Sequence, residues 1–138
     1  METNARRPVT VLAVDDQAVF RRTARSLIAA TPGFEQVGEA ASGPEALELA
    51  SELRPDLMLV DVRMPGMDGL ETARRLSEID PTAVIVLISL DPVPELPASI
   101  ESVGARAHLR KQELSTRTLR AVWEAHCSAA PGETHSEV

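Results

Sequence analysis

At 138 residues, 43% hydrophobic and 25% charged, the chain has the length of one domain and an ordinary globular composition. A formal net charge of −7 argues against direct nucleic-acid binding, which relies on a basic face, and no apolar run reaches the roughly 18 residues of a membrane span. The lone Cys127 rules out an internal disulfide and "METNARRPVT" lacks the apolar core of a signal peptide, so a reducing, cytoplasmic setting is expected.

In chain order, the β-branched run 9–14 predicts a strand, and 18–30 a helix with Phe20, Ala24, Leu27 and Ile28 on one face. The pairs Arg6–Arg7 and Arg21–Arg22 read as solvated surface. "QVGEA" (36–40) predicts a short second strand, placed at an edge because it is more polar. A helix over 43–53 carries Pro44 near its first turn, where proline is tolerated. "LMLVD" (57–61) is apolar up to its last residue, the mark of a strand buried on both faces, and Pro65, Gly66 and Gly69 end it. A helix (69–79) and a fourth strand (83–89) follow. Pro92, Pro94 and Pro97 then disfavour a regular helix start, which predicts an irregular loop and a short helix at about 97–103, ended by Gly104. The fifth strand is 106–110. The last helix, 115–126, takes Ser115 or Thr116 as its cap, and Trp123 recurs with Leu119, Val122 and His126 at packing spacing. This gives a folded domain over 9–127, an N-terminal extension (1–8) and a flexible tail (128–138).

Strict alternation of strand and helix implies an α/β fold with a parallel sheet covered on both faces and right-handed crossovers. Five strands suggest a flavodoxin-like, doubly wound sheet of order 2-1-3-4-5, its switch point between the first and third strands. Asp15 and Asp16 follow the first strand, Asp61 ends the third, Ser89 the fourth, and Lys111 follows the fifth. All lie at one edge of the sheet. Three carboxylates a few ångströms apart repel by about 1–4 kcal/mol per pair, so the cluster calls for a cation. Oxygen ligands suit a hard divalent ion, Mg2+, and Lys111 adds a second positive charge. With a hydroxyl at Ser89 to meet an oxyanion, these are the parts for phosphoryl transfer onto an aspartate. A single strand-end Asp is ordinarily a turn or cap residue; functional groups at several strand ends on one edge shift the reading to function.

"VDDQ", "LVDVRMPGMDG", "VLIS" and "LRK" occur in this order, with 45 residues from Asp16 to Asp61, 28 to Ser89 and 22 to Lys111. In these motifs and separations the chain resembles the response-regulator receiver domain of two-component signalling, the chemotaxis-regulator type, from about Val9 to His126. The resemblance implies that Asp61 is the phosphoacceptor, Asp16 a direct Mg2+ ligand, Asp15 a ligand acting mainly through water, and the Arg63 backbone carbonyl a further ligand. It implies that Ser89 is the switching hydroxyl and that Lys111 pairs with the carboxylate and then the phosphate. The donor would be a sensor histidine kinase or phosphotransfer protein. Output would pass to a protein partner, a homodimer or an output domain outside this chain; "KQEL" resembles receivers that carry helix-turn-helix domains. Such a protein signals rather than turns over a substrate, apart from self-catalysed phosphoryl acceptance and slow autodephosphorylation.

Four features depart from that family: Leu90 where a small residue is usual, the three prolines, His108 at the switch-aromatic position, and Gln112 in place of a proline. The bulk of Leu90 would slow phosphoryl approach. His108 would either rotate as a switch, with some pH sensitivity, or lie exposed. A cis bond before Gln112 would cost about 2.5–4 kcal/mol, so a trans loop or support from neighbours is the alternative. Arg63 and Asp91, each two residues past a site residue, are expected to flank the mouth and shield the acyl phosphate. The competing reading is a receiver-fold interaction module that works without phosphate. A dehalogenase-type phosphohydrolase is disfavoured by Arg63, where its general acid would stand, and a flavin binder by the acidic "DDQAVF" loop.

Overall fold

The computed structural model describes residues 7–90, 96 and 99–128. Five strands, β1 (Val9–Val14), β2 (Phe34–Ala40), β3 (Leu57–Asp61), β4 (Val84–Ser89) and β5 (Ala107–Arg110), form one parallel sheet of order β2-β1-β3-β4-β5. Among the described residues four α-helices connect or follow them: α1 (Ala18–Ala29), α2 (Gly43–Leu53), α3 (Gly69–Ile79) and α4 (Thr116–Ser128). The flavodoxin-like order expected from the sequence is the one observed.

Strand periodicity divides the core in two. On one face Leu12, Val14, Met58, Val60, Ile85 and Leu87 pack with Ala46 and Ala50 of α2 and Ala73 and Leu76 of α3. On the other, Val11, Ala13, Leu57, Leu59, Val86 and Ile88 meet Ala24 and Ile28 of α1 and Leu119 of α4. β3 and β4 are buried along their whole length, which is why their sequences are apolar without alternation. Trp123 packs against the second cluster, in the role its spacing predicted.

Helix starts follow local chemistry. Ser42 caps α2 by accepting from Glu45 N at 3.2 Å, and the Glu45 carboxylate accepts from Ala41 N at 2.8 Å. Asp68 caps α3 through Glu71 N at 2.9 Å. Ser115 is the cap of α4, accepting from Thr118 N at 3.1 Å. Each such cap is worth about 1 kcal/mol.

Several boundaries differ from expectation. β2 begins at Phe34 rather than residue 36, because that ring is buried in the second core and lies under Arg120, which also donates to the Pro32 carbonyl at 2.8 Å. Ala83 belongs to the turn before β4, its N–H donating to Asp80 O at 3.2 Å. β5 starts at Ala107, α1 ends at Ala29, and α4 runs from Thr116 to Ser128, beyond His126. Where a short helix at 97–103 was expected, the described residues form a single 3-10 turn, Ile100–Val103, ended as expected by Gly104 with φ of 84°. Asp91, Pro92, Pro94 and Pro97 lie outside the described residues. A second 3-10 turn, Lys111–Glu113, follows β5 directly.

The two ends of the sheet have opposite characters. At the amino end of β3, Asp56 forms a clasp: its carboxylate accepts from Thr10 N at 2.9 Å and Thr10 Oγ1 at 3.1 Å, with Arg7 alongside at 3.4 Å. At the carboxyl end three carboxylates, Asp15, Asp16 and Asp61, gather with the Lys111 ammonium beside two of them.

Candidate functional site

The carboxyl edge brings together the residues that the sequence singled out. β1 delivers Asp15 and Asp16 beside β3, which delivers Asp61; one carboxylate oxygen from each lies within 4.8 Å of the others. Asp15 and Asp61 are buried and Asp16 is exposed. Beside Asp61 a pocket of about 170 Å3 is lined by Gln17, Asp61, Arg63, Ser89, Leu90 and Lys111.

Asp15 is fixed on every side. Its backbone N–H donates to Ala40 O at 3.0 Å, its carbonyl accepts from Arg21 Nη1 at 2.7 Å, and its Oδ1 accepts from Gln17 N at 2.8 Å. Arg21, read from sequence as solvated surface, is thus a support of the site; it also stands 3.6 Å from Glu39. Asp15 Oδ2 is buried with no aligned hydrogen-bond donor, its charge met by the Lys111 ammonium at 2.7 Å.

Lys111 makes the expected pair with Asp61 and a second, shorter one with Asp15. Its Nζ is 3.9 Å from Asp61 Oδ2, so its nearer carboxylate is Asp15. It also lies 4.5 Å from the centre of the Phe20 ring, a contact that the reading of Phe20 as a core residue missed. Asp61 therefore keeps an uncomfortable charge. Burial, then the Asp15 carboxylate, push its pKa up to about 6, against the pull of Lys111 and of the Arg63 backbone N–H at 3.4 Å.

Ser89 is buried, and its hydroxyl shares a 2.8 Å hydrogen bond with His108 Nε2. Of the two expectations for His108, exposure is not what is found: the ring is half-buried and directly bonded to the hydroxyl. Leu90, 59% exposed, stands at the pocket mouth with Arg63. The Arg63–Asp91 pairing falls outside the described residues. The Lys111–Gln112 peptide is trans, and the Gln112 amide lies 3.2 Å from both the Leu90 carbonyl and Arg110, where the orientation with its nitrogen toward Leu90 and its oxygen toward Arg110 satisfies both.

The backbone behind Asp61 is tightly constrained. Val62 N donates to Ile88 O at 2.9 Å and Gly69 N to Val62 O at 2.8 Å. The first residue of α3 is brought so close that a Cβ at Gly69 would sit 2.1 Å from the Asp61 carbonyl oxygen.

The donor set fits a hard divalent cation. Among the described residues the cluster is made of carboxylates alone, with no His or Cys ligand, and all-oxygen, anionic donors are what such a cation takes.

Comparison with known proteins agrees with this geometry. The family model described as the response regulator receiver domain matches residues 11–123. The nitrate/nitrite response regulator protein NarL of Escherichia coli K12 is 37% identical over 118 residues, covering 86% of this chain and 55% of that protein. A protein-glutamate methylesterase/protein-glutamine glutaminase of Alkalilimnicola ehrlichii is 45% identical over 82 residues, 59% of this chain and 21% of that protein. The chain thus spans about half, or less, of these relatives' length. Among solved structures, the receiver domain of the putative response regulator NarL from Mycobacterium tuberculosis superposes with a TM-score of 0.77 at 32% identity, covering 86% of this chain and 96% of that one. The response regulator domain of Thermotoga maritima CheB gives 0.78 at 25% identity, covering 91% and 100%. This chain belongs to the response regulator receiver domain family.

Proposed function

We propose that the domain accepts a phosphoryl group on Asp61 from a sensor histidine kinase or phosphotransfer protein and passes the signal on through altered protein contacts. The observation that carries this reading is a buried strand-end carboxylate opening on a pocket that Ser89 and Lys111 also line. Asp15, Asp16, Asp61 and the Arg63 carbonyl are the residues that would hold Mg2+, whose role when bound is to neutralise charge on the phosphoryl oxygens. The chain's own residues do the rest. An Asp61 carboxylate oxygen attacks phosphorus as the P–N bond to the donor's histidine breaks and its imidazole leaves, Lys111 compensates charge, and Ser89 donates to a phosphoryl oxygen once its hydroxyl leaves His108. The added charge of about −1.5 to −2 is what shifts Ser89 and Lys111. The receiver is taken to span 9–127, working in the cytoplasm.

The test is intact mass after incubation with magnesium and phosphoramidate. One phosphoryl group is expected on the wild type and none on Asp61→Asn. Addition to both would remove Asp61 as acceptor. Addition to neither, with a phosphorylated kinase as donor too, would favour a module that works without phosphate, which the His108-bound Ser89 and the exposed Leu90 also fit. Leu90→Ala should speed phosphorylation by phosphoramidate severalfold by clearing the mouth; an unchanged rate would show that Leu90 does not obstruct the donor.

A further inference from the structure

We infer that Phe20 is a positioning residue for this reaction, its ring holding the Lys111 ammonium against the carboxylate cluster; this rests on Asp61 being the acceptor. Lys111 is the first residue after β5 and opens a 3-10 turn, and its head group ends a flexible four-carbon stem. Three contacts locate that head group: Asp15 Oδ2 at 2.7 Å, Asp61 Oδ2 at 3.9 Å and the Phe20 ring centre at 4.5 Å.

The three contacts differ in kind. The two carboxylates belong to the set that would bind the metal, and Asp61 becomes an acyl phosphate. Their hold on the ammonium therefore changes through the cycle. The ring does not change. Its quadrupole attracts a cation but carries no charge, so it holds the ammonium without cancelling the positive field at Asp61. A carboxylate in the same place would hold Lys111 and neutralise it. The ring lies on one side of the ammonium and the carboxylates close by, and the Lys111 side chain is only 10% exposed.

The ring is itself anchored. Phe20 stands in the first turn of α1 and packs against the second core cluster, as do Leu109 and Leu114, which lie on either side of Lys111 in the chain. The packing of α1 on the sheet thereby sets the place of the lysine head group.

The test compares wild type, Phe20→Leu and Phe20→Tyr, each in the full chain at a temperature where circular dichroism shows it folded. Leucine keeps an apolar side chain and removes the ring; tyrosine keeps the ring. Two quantities are read: the NMR shift of the Lys111 ε-methylene protons and the phosphorylation rate with phosphoramidate at saturating magnesium. Wild type and Phe20→Tyr should show the upfield shift of protons over a ring. Phe20→Leu should lose it and phosphorylate about three- to tenfold more slowly, with tyrosine restoring the rate. A rate for Phe20→Leu equal to wild type, or an equal loss with tyrosine while its upfield shift persists, would overturn the proposal. A wild type that takes no phosphoryl group would overturn the acceptor reading itself, while the shift still reports the ring contact.

Discussion

Lys111→Met is expected to destabilise the metal-free protein by about 2–4 kcal/mol at pH 8 and by much less at pH 5. Lys111 is the closest cation to the buried Asp15 carboxylate and also lies beside Asp61. Removing it leaves two buried carboxylates facing each other. The pH dependence follows from Asp61, whose carboxyl is raised to about 6 by burial and by Asp15, with Lys111 pulling the other way. A carboxyl that is more basic when folded favours the folded state at low pH. That contribution is full below the unfolded value near 3.9, and it is lost as pH rises through the folded value. The wild type should therefore lose stability between about pH 4 and 6, by about 1–2 kcal/mol once solvent at the pocket mouth is allowed for. Without Lys111 the folded value moves up further and the loss extends above pH 6. Magnesium should recover much of the deficit by mass action. Urea unfolding at pH 5, 6.5 and 8, with EDTA and then with magnesium, measures this; an equal deficit at every pH would contradict it.

Gly69→Ala should be as damaging, for a steric reason. The new methyl group would stand 2.1 Å from the Asp61 carbonyl oxygen and 2.6 Å from Val62 Cα. These are backbone atoms at the end of a buried strand, so no side chain can swing aside. Either α3 lifts away, weakening the 2.8 Å bond from Gly69 N to Val62 O, or the end of β3 moves and takes Asp61 with it. Overpacking of this kind costs about 1–3 kcal/mol, and contact with backbone places this case at the upper end. Slower phosphorylation should accompany the lowered urea midpoint. A variant with wild-type stability and rate would show that the α3 start yields freely.

Most of the architecture was legible because the strong patterns have single readings. The apolar runs in β3 and β4 admit little but buried strands, and strict alternation with helices leaves the parallel sheet. Topology then carried Asp15, Asp61, Ser89 and Lys111 to one edge. What the pattern could not give was which partner each flexible side chain would choose. Lys111 lies nearer Asp15 than Asp61, Ser89 bonds His108, and Arg21 turns inward to the Asp15 carbonyl. Those choices depend on distances of an ångström or so between elements far apart in sequence. Phe34 was missed for a related reason: a turn precedes it, and only the closed core shows that its ring is buried.

The clasp at Asp56 separates robustness from responsiveness. Its bonds to Thr10 and Arg7 tie β1 to β3 at the end of the sheet opposite the charged pocket, where no titrating or phosphoryl-dependent change is called for. An engineer building a heat-tolerant phosphorylation reporter from this domain can tighten that far end by repacking around Val9, which is only partly buried against the second core cluster. The carboxyl edge, where repulsion makes the molecule ready to respond, can then be left untouched.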